Sequence, residues 1–191
     1  MSSPEKNIIY FPSGTNVVAL NTKTREREVV AKLSFLPRCL TASKEWICCG
    51  GDKGSYTAVC LDDSISNSEN TQEVDPDARL PLDLDVSRRA ISIEGASASR
   101  RSRGHRPAVA DVIKIGTEIV NCVTLWSPRE DASNVAYKVP VAVVSNNDCT
   151  VSILDVRTSE TLEKLIMPDC VNRSVLSPDG RLLVTIVGVF I

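Results

Sequence analysis

The chain has 191 residues, of which 42% are apolar and 24% charged, a composition typical of globular proteins. Its formal net charge of −2 gives no overall attraction to nucleic acids or acidic membranes, so such attraction would have to be local. The sequence has no run of 18 apolar residues, and Met1 to Lys6 lead straight into a strand-like run without the apolar core of a secretory signal. We therefore expect no contact with membranes and a cytoplasmic or nuclear location, where thiols stay reduced.

The first part of the chain, residues 1–61, alternates short apolar runs with turns rich in Gly, Asn and Ser, which is the pattern of an all-β protein. Strands are predicted at 7–11, 17–20, 25–33, 38–43, 46–49 and 56–61, with turns at 12–16 and 50–54. We expect two sheets here: the first lacks its innermost strand, and the second lacks its outer strand.

The next segment, residues 62–110, interrupts this pattern. It contains no Phe, Trp or Tyr, its acidic residues come first, and its arginines follow. Such a segment cannot bury enough apolar surface to offset the entropy of ordering it, so we expect a long disordered loop.

Alternation resumes in residues 111–191. The run 111–115 is predicted to supply the outer strand missing from the second sheet. A complete four-stranded sheet and the start of another are then predicted, with strands at 120–126, 141–144, 151–154, 161–166, 171–176 and 181–187, and a turn at 177–180.

Three segments repeat one unit: a polar turn, a short strand, and Leu followed by Asn or Asp. The copies end at Leu20-Asn21, Leu61-Asp62 and Leu154-Asp155. The first two are 41 residues apart, within the period of about 40 to 45 residues that one blade of a β-propeller requires. The repeat therefore predicts a partial β-propeller of about three to four blades, interrupted by the 62–110 insertion.

These residues resemble WD40 repeats. Leu61-Asp62 and Leu154-Asp155 stand where that family has Trp-Asp, and Leu176-Ser-Pro-Asp-Gly180 resembles its Phe-Ser-Pro-Asp-Gly turn. The family's Gly-His dipeptide is absent, so its buried His, Ser, Trp and Asp network is not expected. Since a closed propeller has about 4 to 8 blades, we expect a truncated N-terminal portion or an incomplete gene product.

Repeat and turn positions supply the structural candidates, which are Asp52, Asp62, Asp148, Asp155, Asp179 and Gly180. The resemblance implies that Asp52 and Asp148 lie in the family's Ser-x-Asp-Gly-Thr turn. We expect their carboxylates to order these turns by bonding to the backbone, in preference to binding a ligand.

The basic half of the insertion carries one further signal. Arg88 and Arg89 are separated by ten residues from a second basic cluster, Arg100, Arg101 and Arg103, a spacing that resembles a bipartite nuclear import signal. An inert solvated loop is the alternative. Ser92 lies in a sequence that resembles a site for basophilic kinases, and its phosphorylation would partly neutralise the cluster. Nucleic-acid binding is disfavoured because the segment has no aromatic residue to stack on bases.

No catalytic constellation is recognisable. The single histidine, His105, falls in the predicted loop, and the seven cysteines form no C-x-x-C pair, so we expect no catalytic residue, metal site or disulfide framework. Cys48, Cys49, Cys60 and Cys122 are expected to pack as small core residues. No cofactor or small-molecule substrate is indicated.

The predicted function is therefore a non-catalytic scaffold that binds other proteins and is regulated through the 62–110 loop. Two alternatives stay open. The chain is either a non-functional fragment of a larger propeller, or part of a propeller enzyme whose site lies in missing blades.

Overall fold

The computed structural model describes residues 7–61, 108–109, 111–128 and 135–188, with the backbone alone at 108–109. These residues form fourteen short strands and one 3-10 turn, Asp52–Gly54. The strands are β1 Ile8–Ser13, β2 Asn16–Asn21, β3 Arg27–Lys32, β4 Pro37–Ala42, β5 Trp46–Gly51, β6 Ser55–Cys60, β7 Ala108–Val109, β8 Ile113–Lys114, β9 Val120–Trp126, β10 Val141–Asn146, β11 Thr150–Asp155, β12 Thr161–Ile166, β13 Val171–Leu176 and β14 Leu183–Val187. The predicted all-β architecture is confirmed.

The strands form four sheets, which we call blades 1 to 4. Their strand orders are β1-β2-β3-β7, β4-β5-β6-β8, β9-β10-β11-β12 and β13-β14. All pairings are antiparallel except that of β7, which runs parallel to β3 with Ala31 opposite Ala108. Within the described part of the chain, β8 pairs with β6 and completes blade 2. This confirms the prediction that the first strand after the insertion returns to blade 2.

Several boundaries differ from the predicted ones. β1 continues through Pro12 to Ser13, so that its turn shrinks to Gly14 and Thr15. Among the described residues, β1 pairs only with β2 and is an edge strand. Proline is tolerated there because its missing N–H is not needed on the unpaired side of an edge strand. β5 likewise includes Gly50 and Gly51, and the backbone of Ala108–Val109, predicted to lie in the disordered loop, is a strand.

The hydrophobic cores lie between the blades. In β5, Trp46 and Cys48 pack into the core shared with blade 3, whereas Ile47 and Cys49 pack into the core shared with blade 1. Because side chains alternate between the two faces of a strand, a central strand covered on both faces contributes to two cores. β10 does the same, since Ala142 and Val144 face blade 2 while Val141 and Val143 face blade 4.

Both faces of these middle strands are consequently buried, and the alternation of buried and exposed residues is lost there. All six residues of β5, β10 and β11 are buried. Fully burying one Val or Leu side chain contributes about 1.5–3 kcal/mol, so the inter-blade cores dominate the stability of the fold. The prediction of core cysteines is right for Cys48 and Cys49. Cys60 is half-buried but packs against the core between blades 2 and 3, and Cys122 is half-buried.

Candidate functional site

The repeated Leu-Asp and Leu-Asn positions end two strands and open turns with the same backbone hydrogen bond. Asp155 Oδ1 accepts hydrogen bonds from the backbone N–H and the guanidinium of Arg157, at 2.9 and 3.3 Å. Asn21 Oδ1 accepts from the backbone N–H groups of Lys23 and Thr24, at 3.0 and 3.2 Å. In each turn the residue four positions after the Asn or Asp donates its N–H back to that residue's carbonyl.

That fourth residue is left-handed in both turns: Arg25 has φ 62° and Ser159 has φ 59°. Sequence reasoning missed this half of the repeat and assigned Arg25 to a strand. The signal that reveals it is a Thr and a Glu at matching offsets, Thr24-x-Glu26 and Thr158-x-Glu160. The Thr hydroxyl accepts from the Glu N–H in both turns.

The Asp155 carboxylate is nearly fully buried and charged. Desolvation raises its pKa, but hydrogen bonds from the side chain and backbone of Arg157 outweigh it, so this pKa lies below the usual value. The second oxygen, Oδ2, contacts the Arg157 guanidinium at 3.0 Å. These bonds within the turn fix the end of β11, so the role of Asp155 is structural.

The Asp52 turn is held differently. The Arg38 guanidinium donates to both Asp52 oxygens, at 2.9 and 3.1 Å, and this hydrogen-bonded pair lowers the pKa of the carboxyl. The Asp52 carbonyl accepts from the Ser55 hydroxyl at 2.6 Å. Both charged side chains are about half exposed, so the pair adds little net stability.

Asp148 links two segments. Its Oδ1 accepts from the Thr150 hydroxyl at 2.6 Å, and its Oδ2 accepts from the backbone N–H of Thr117 at 3.0 Å. These two bonds lower its pKa against the opposing effect of desolvation. The carboxylate therefore ties the β10–β11 turn to the segment that enters blade 3.

Asp179 and Gly180 form the turn between β13 and β14. The Ser177 hydroxyl donates to Asp179 Oδ1 at 2.5 Å, and the Arg181 N–H donates to the same atom at 3.2 Å. These bonds lower the pKa of the Asp179 carboxyl. Gly180 has φ 74° and lies beneath the Trp126 ring.

The other sequence-predicted positions lie outside the described residues. They are Asp62, Ser92, His105 and the arginines Arg88, Arg89, Arg100, Arg101 and Arg103. Their roles stay predictions.

Blade 4 exposes an apolar face. Val184 and Ile186 on β14 are 67% and 58% exposed, and Val175, opposite Val184 on β13, is 42% exposed. The opposite face packs inward: Leu183 contacts the core between blades 3 and 4, and the Thr185 hydroxyl donates to that of Ser174. Within the described residues β14 pairs only with β13, so its outer edge presents backbone donors and acceptors.

One cluster escaped sequence reasoning. Cys149, Asp169 and Cys170 place their sulfur and carboxylate atoms within 4.8 Å of one another. No spacing rule identifies them, because strands β11 and β12 separate Cys149 from the other two.

The described part of the chain contains no helix long and apolar enough to cross a membrane.

Of the comparisons with known proteins, only the one with solved structures gives a match. No model of a known protein family matches the sequence, and no curated protein matches it. Among solved structures, a chain in the Crystal Structure of Mitotic Checkpoint Complex matches with a TM-score of 0.54 and 12% sequence identity. The match covers 94% of this chain and 41% of that chain.

At 12% identity this likeness shows the fold alone, which is WD40-like. The predicted fold class, an all-β partial propeller, is thereby confirmed. The chain spans less than half the length of the chain it matches.

Proposed function

We propose that this chain is a non-catalytic WD-repeat scaffold that binds other proteins through the outer face and edge of blade 4. The observation that carries the proposal is the exposure of Val184 and Ile186 on β14, which among the described residues pairs only with β13. Exposed apolar surface next to free backbone donors and acceptors is what an added β-strand recognises. In a propeller this face is also where a neighbouring blade packs. We propose a partner protein, in place of a further blade, as the occupant.

The likeness to a chain from a protein complex supports this class of function, since WD40-like folds serve widely as platforms for assembly. Regulation through the 62–110 loop is the finer part of the proposal. Phosphorylation of Ser92 beside Arg88 and Arg89 would reduce the local positive charge and change docking, and the arginine clusters would direct import into the nucleus.

The test is affinity purification of the full chain from cells with quantitative mass spectrometry. The variant V184K/I186K places charges on the proposed face. L162K/I166K makes the same changes at exposed positions of β12, where Leu162 and Ile166 are 41% and 86% exposed. We expect a set of proteins retained by the wild type and by L162K/I166K but lost by V184K/I186K. Identical profiles for the two variants would contradict the proposed face.

A second hypothesis, a non-functional piece of a larger propeller, is favoured by the 41% coverage of the matched chain. Open sheet edges promote association between chains. A purified protein that elutes as aggregates and co-purifies mainly with chaperones would support it. Deletion of residues 63–107, which keeps β7 paired with β3, separates the regulatory part of the proposal, because loss of specific partners on this deletion assigns docking to the loop.

A further inference from the structure

The cluster of Cys149, Asp169 and Cys170 joins blade 3 to blade 4. Cys149 lies in the β10–β11 turn, whereas Asp169 and Cys170 lie in the connection that leads to β13. Their three potential ligand atoms lie within 4.8 Å of one another, and all three residues are half-buried. Two thiols and a carboxylate thus converge from two separate segments.

The backbone holds these segments together independently of the cluster. The Met167 N–H donates to the Cys149 carbonyl at 2.8 Å, two residues before Asp169. The Asn121 side-chain amide bridges the Asn147 side chain, at 3.3 Å, and the Val171 carbonyl, at 2.9 Å. Because each segment is anchored next to its ligand residues, the cluster is preorganised.

The Asp169 carboxylate is also oriented. Its Oδ1 accepts the N–H of Cys170 at 2.7 Å, which fixes the carboxylate beside the two sulfurs. The neighbouring Asp148 carboxylate is committed to Thr150 and Thr117, so it does not count among the ligands.

The electrostatics of the cluster favour a cation. Two thiolates and a carboxylate this close repel one another, and a bound divalent cation reverses that repulsion while displacing the thiol protons.

Cys149 takes a left-handed backbone position, as Lys53 does in the corresponding turn of blade 2. The φ of Cys149 is 61°, at the place where the WD40 turn pattern has Gly. A cysteine here carries a conformational cost that glycine would avoid, and in return its sulfur faces Cys170.

We propose that Cys149, Asp169 and Cys170 form a Zn²⁺ site, with water as the fourth ligand. Thiolates favour soft or borderline cations such as Zn²⁺ over Mg²⁺ and Ca²⁺, which prefer oxygen, and four ligands match the tetrahedral preference of Zn²⁺. The metal would link the β10–β11 turn to the start of β13 and so hold blade 4 against blade 3.

The test uses the full chain, reduced and freed of metal, titrated with Co²⁺ and then with Zn²⁺. Thiolate coordination gives a near-ultraviolet charge-transfer band, and tetrahedral Co²⁺ gives visible bands. We expect both bands to saturate at one equivalent of Co²⁺, to disappear when Zn²⁺ displaces it, and thermal unfolding to shift upward with Zn²⁺ concentration.

C149S and C170S should each weaken Co²⁺ binding and reduce the charge-transfer band, the double variant C149S/C170S should lose the band, and D169N should weaken binding. C122S is the matched control, since Cys122 is also half-buried but lies outside the cluster, and it should bind Co²⁺ like the wild type. Far-ultraviolet circular dichroism at low temperature checks that each variant is folded.

Three results would overturn the proposal. The first is an absence of charge-transfer bands in the reduced wild-type protein. The second is a band that persists in C149S/C170S, which would place the thiolate ligands elsewhere. The third is a Cys149–Cys170 disulfide that resists reductant and leaves no site for the metal.

Discussion

The indole N–H of Trp126, at the end of β9, donates a hydrogen bond of 2.9 Å to the backbone carbonyl of Ser177, in the turn of blade 4. The same ring packs edge-on against Tyr137, with centroids 6.0 Å apart and planes at 70°. Trp126 therefore connects the inner strand of blade 3 to the β13–β14 turn through its indole N–H, while its ring packs on the β9–β10 connection.

Replacing this ring tests how strongly the two blades are coupled. W126F keeps an aromatic ring but removes the donor to Ser177, and we expect a loss of about 2 kcal/mol in the free energy of unfolding. Urea unfolding followed by circular dichroism measures it. Relative to the wild type, W126F should accelerate hydrogen exchange more in β13 and β14 than in β4 and β5. An equal acceleration in both pairs of strands would contradict the coupling.

Gly180 offers a sharper probe of the same contact. A Cβ added there would lie 3.1 Å from Trp126 Cζ2, and φ is 74°. Gly14 has a similar φ of 60° with nothing within 4 Å of the added atom. Both G180A and G14A should therefore carry the left-handed cost of about 1–2 kcal/mol, and only G180A should add a steric cost. Equal midpoints of urea unfolding for the two variants would show that the turn moves away from the ring freely.

Asp155 and Asn21 form a matched pair for pH dependence. D155A should lower stability by about 2 kcal/mol at pH 7, and N21A by about 1 kcal/mol, because a charged acceptor makes stronger hydrogen bonds. The folded pKa of Asp155 lies below its usual value, so its contribution is complete above the unfolded pKa and is lost as the pH falls through the folded pKa.

Urea unfolding at several pH values between 7 and 3 follows this loss. The difference between the wild type and D155A should shrink toward acid, whereas the difference between the wild type and N21A should stay constant through the titration of Asp155. A D155A difference that does not change with pH would show that the carboxylate is not the source of the stability.

Two buried serines of blade 3 should respond in opposite ways. The Ser145 hydroxyl bonds to that of Ser174 at 3.1 Å, so S145A should cost about 1 kcal/mol. Ser152 Oγ is buried and has no hydrogen-bond partner among the described residues, so S152A should leave stability within about 0.5 kcal/mol of the wild type or raise it. Thermal unfolding of both variants checks this, and a larger loss in S152A would reveal a bonded hydroxyl.

Most strands could be predicted from the sequence because apolar runs and turn residues are local signals. β9, β12 and β13 lie where the pattern predicts them. Errors arose where a turn residue continued a strand. Gly50 and Gly51 read as a turn, yet they pair with Tyr56 and Pro37 in blade 2. Ladder bonding there overrides the local preference of glycine.

The candidate sites, like the strands, could be predicted from the sequence only in part. The repeat marks Asp155 as the end of a strand, but its bonds to Arg157 and its matching turn at Asn21 depend on backbone angles that a residue pattern does not contain. Arg25 and Ser159 adopt the left-handed position without being glycine, which concealed the turn from sequence reasoning.

The sequence by itself determined the all-β class and the positions of most strands along the chain, because hydrophobic alternation and turn chemistry act over a few residues. Only the tertiary structure decided which faces meet, since the side chains of β5 and β10 divide between two cores according to the blades on either side. It also brought Cys149 beside Asp169 and Cys170 and left Val184 and Ile186 exposed. Contacts between segments depend on how sheets stack, and that information is spread over the whole chain.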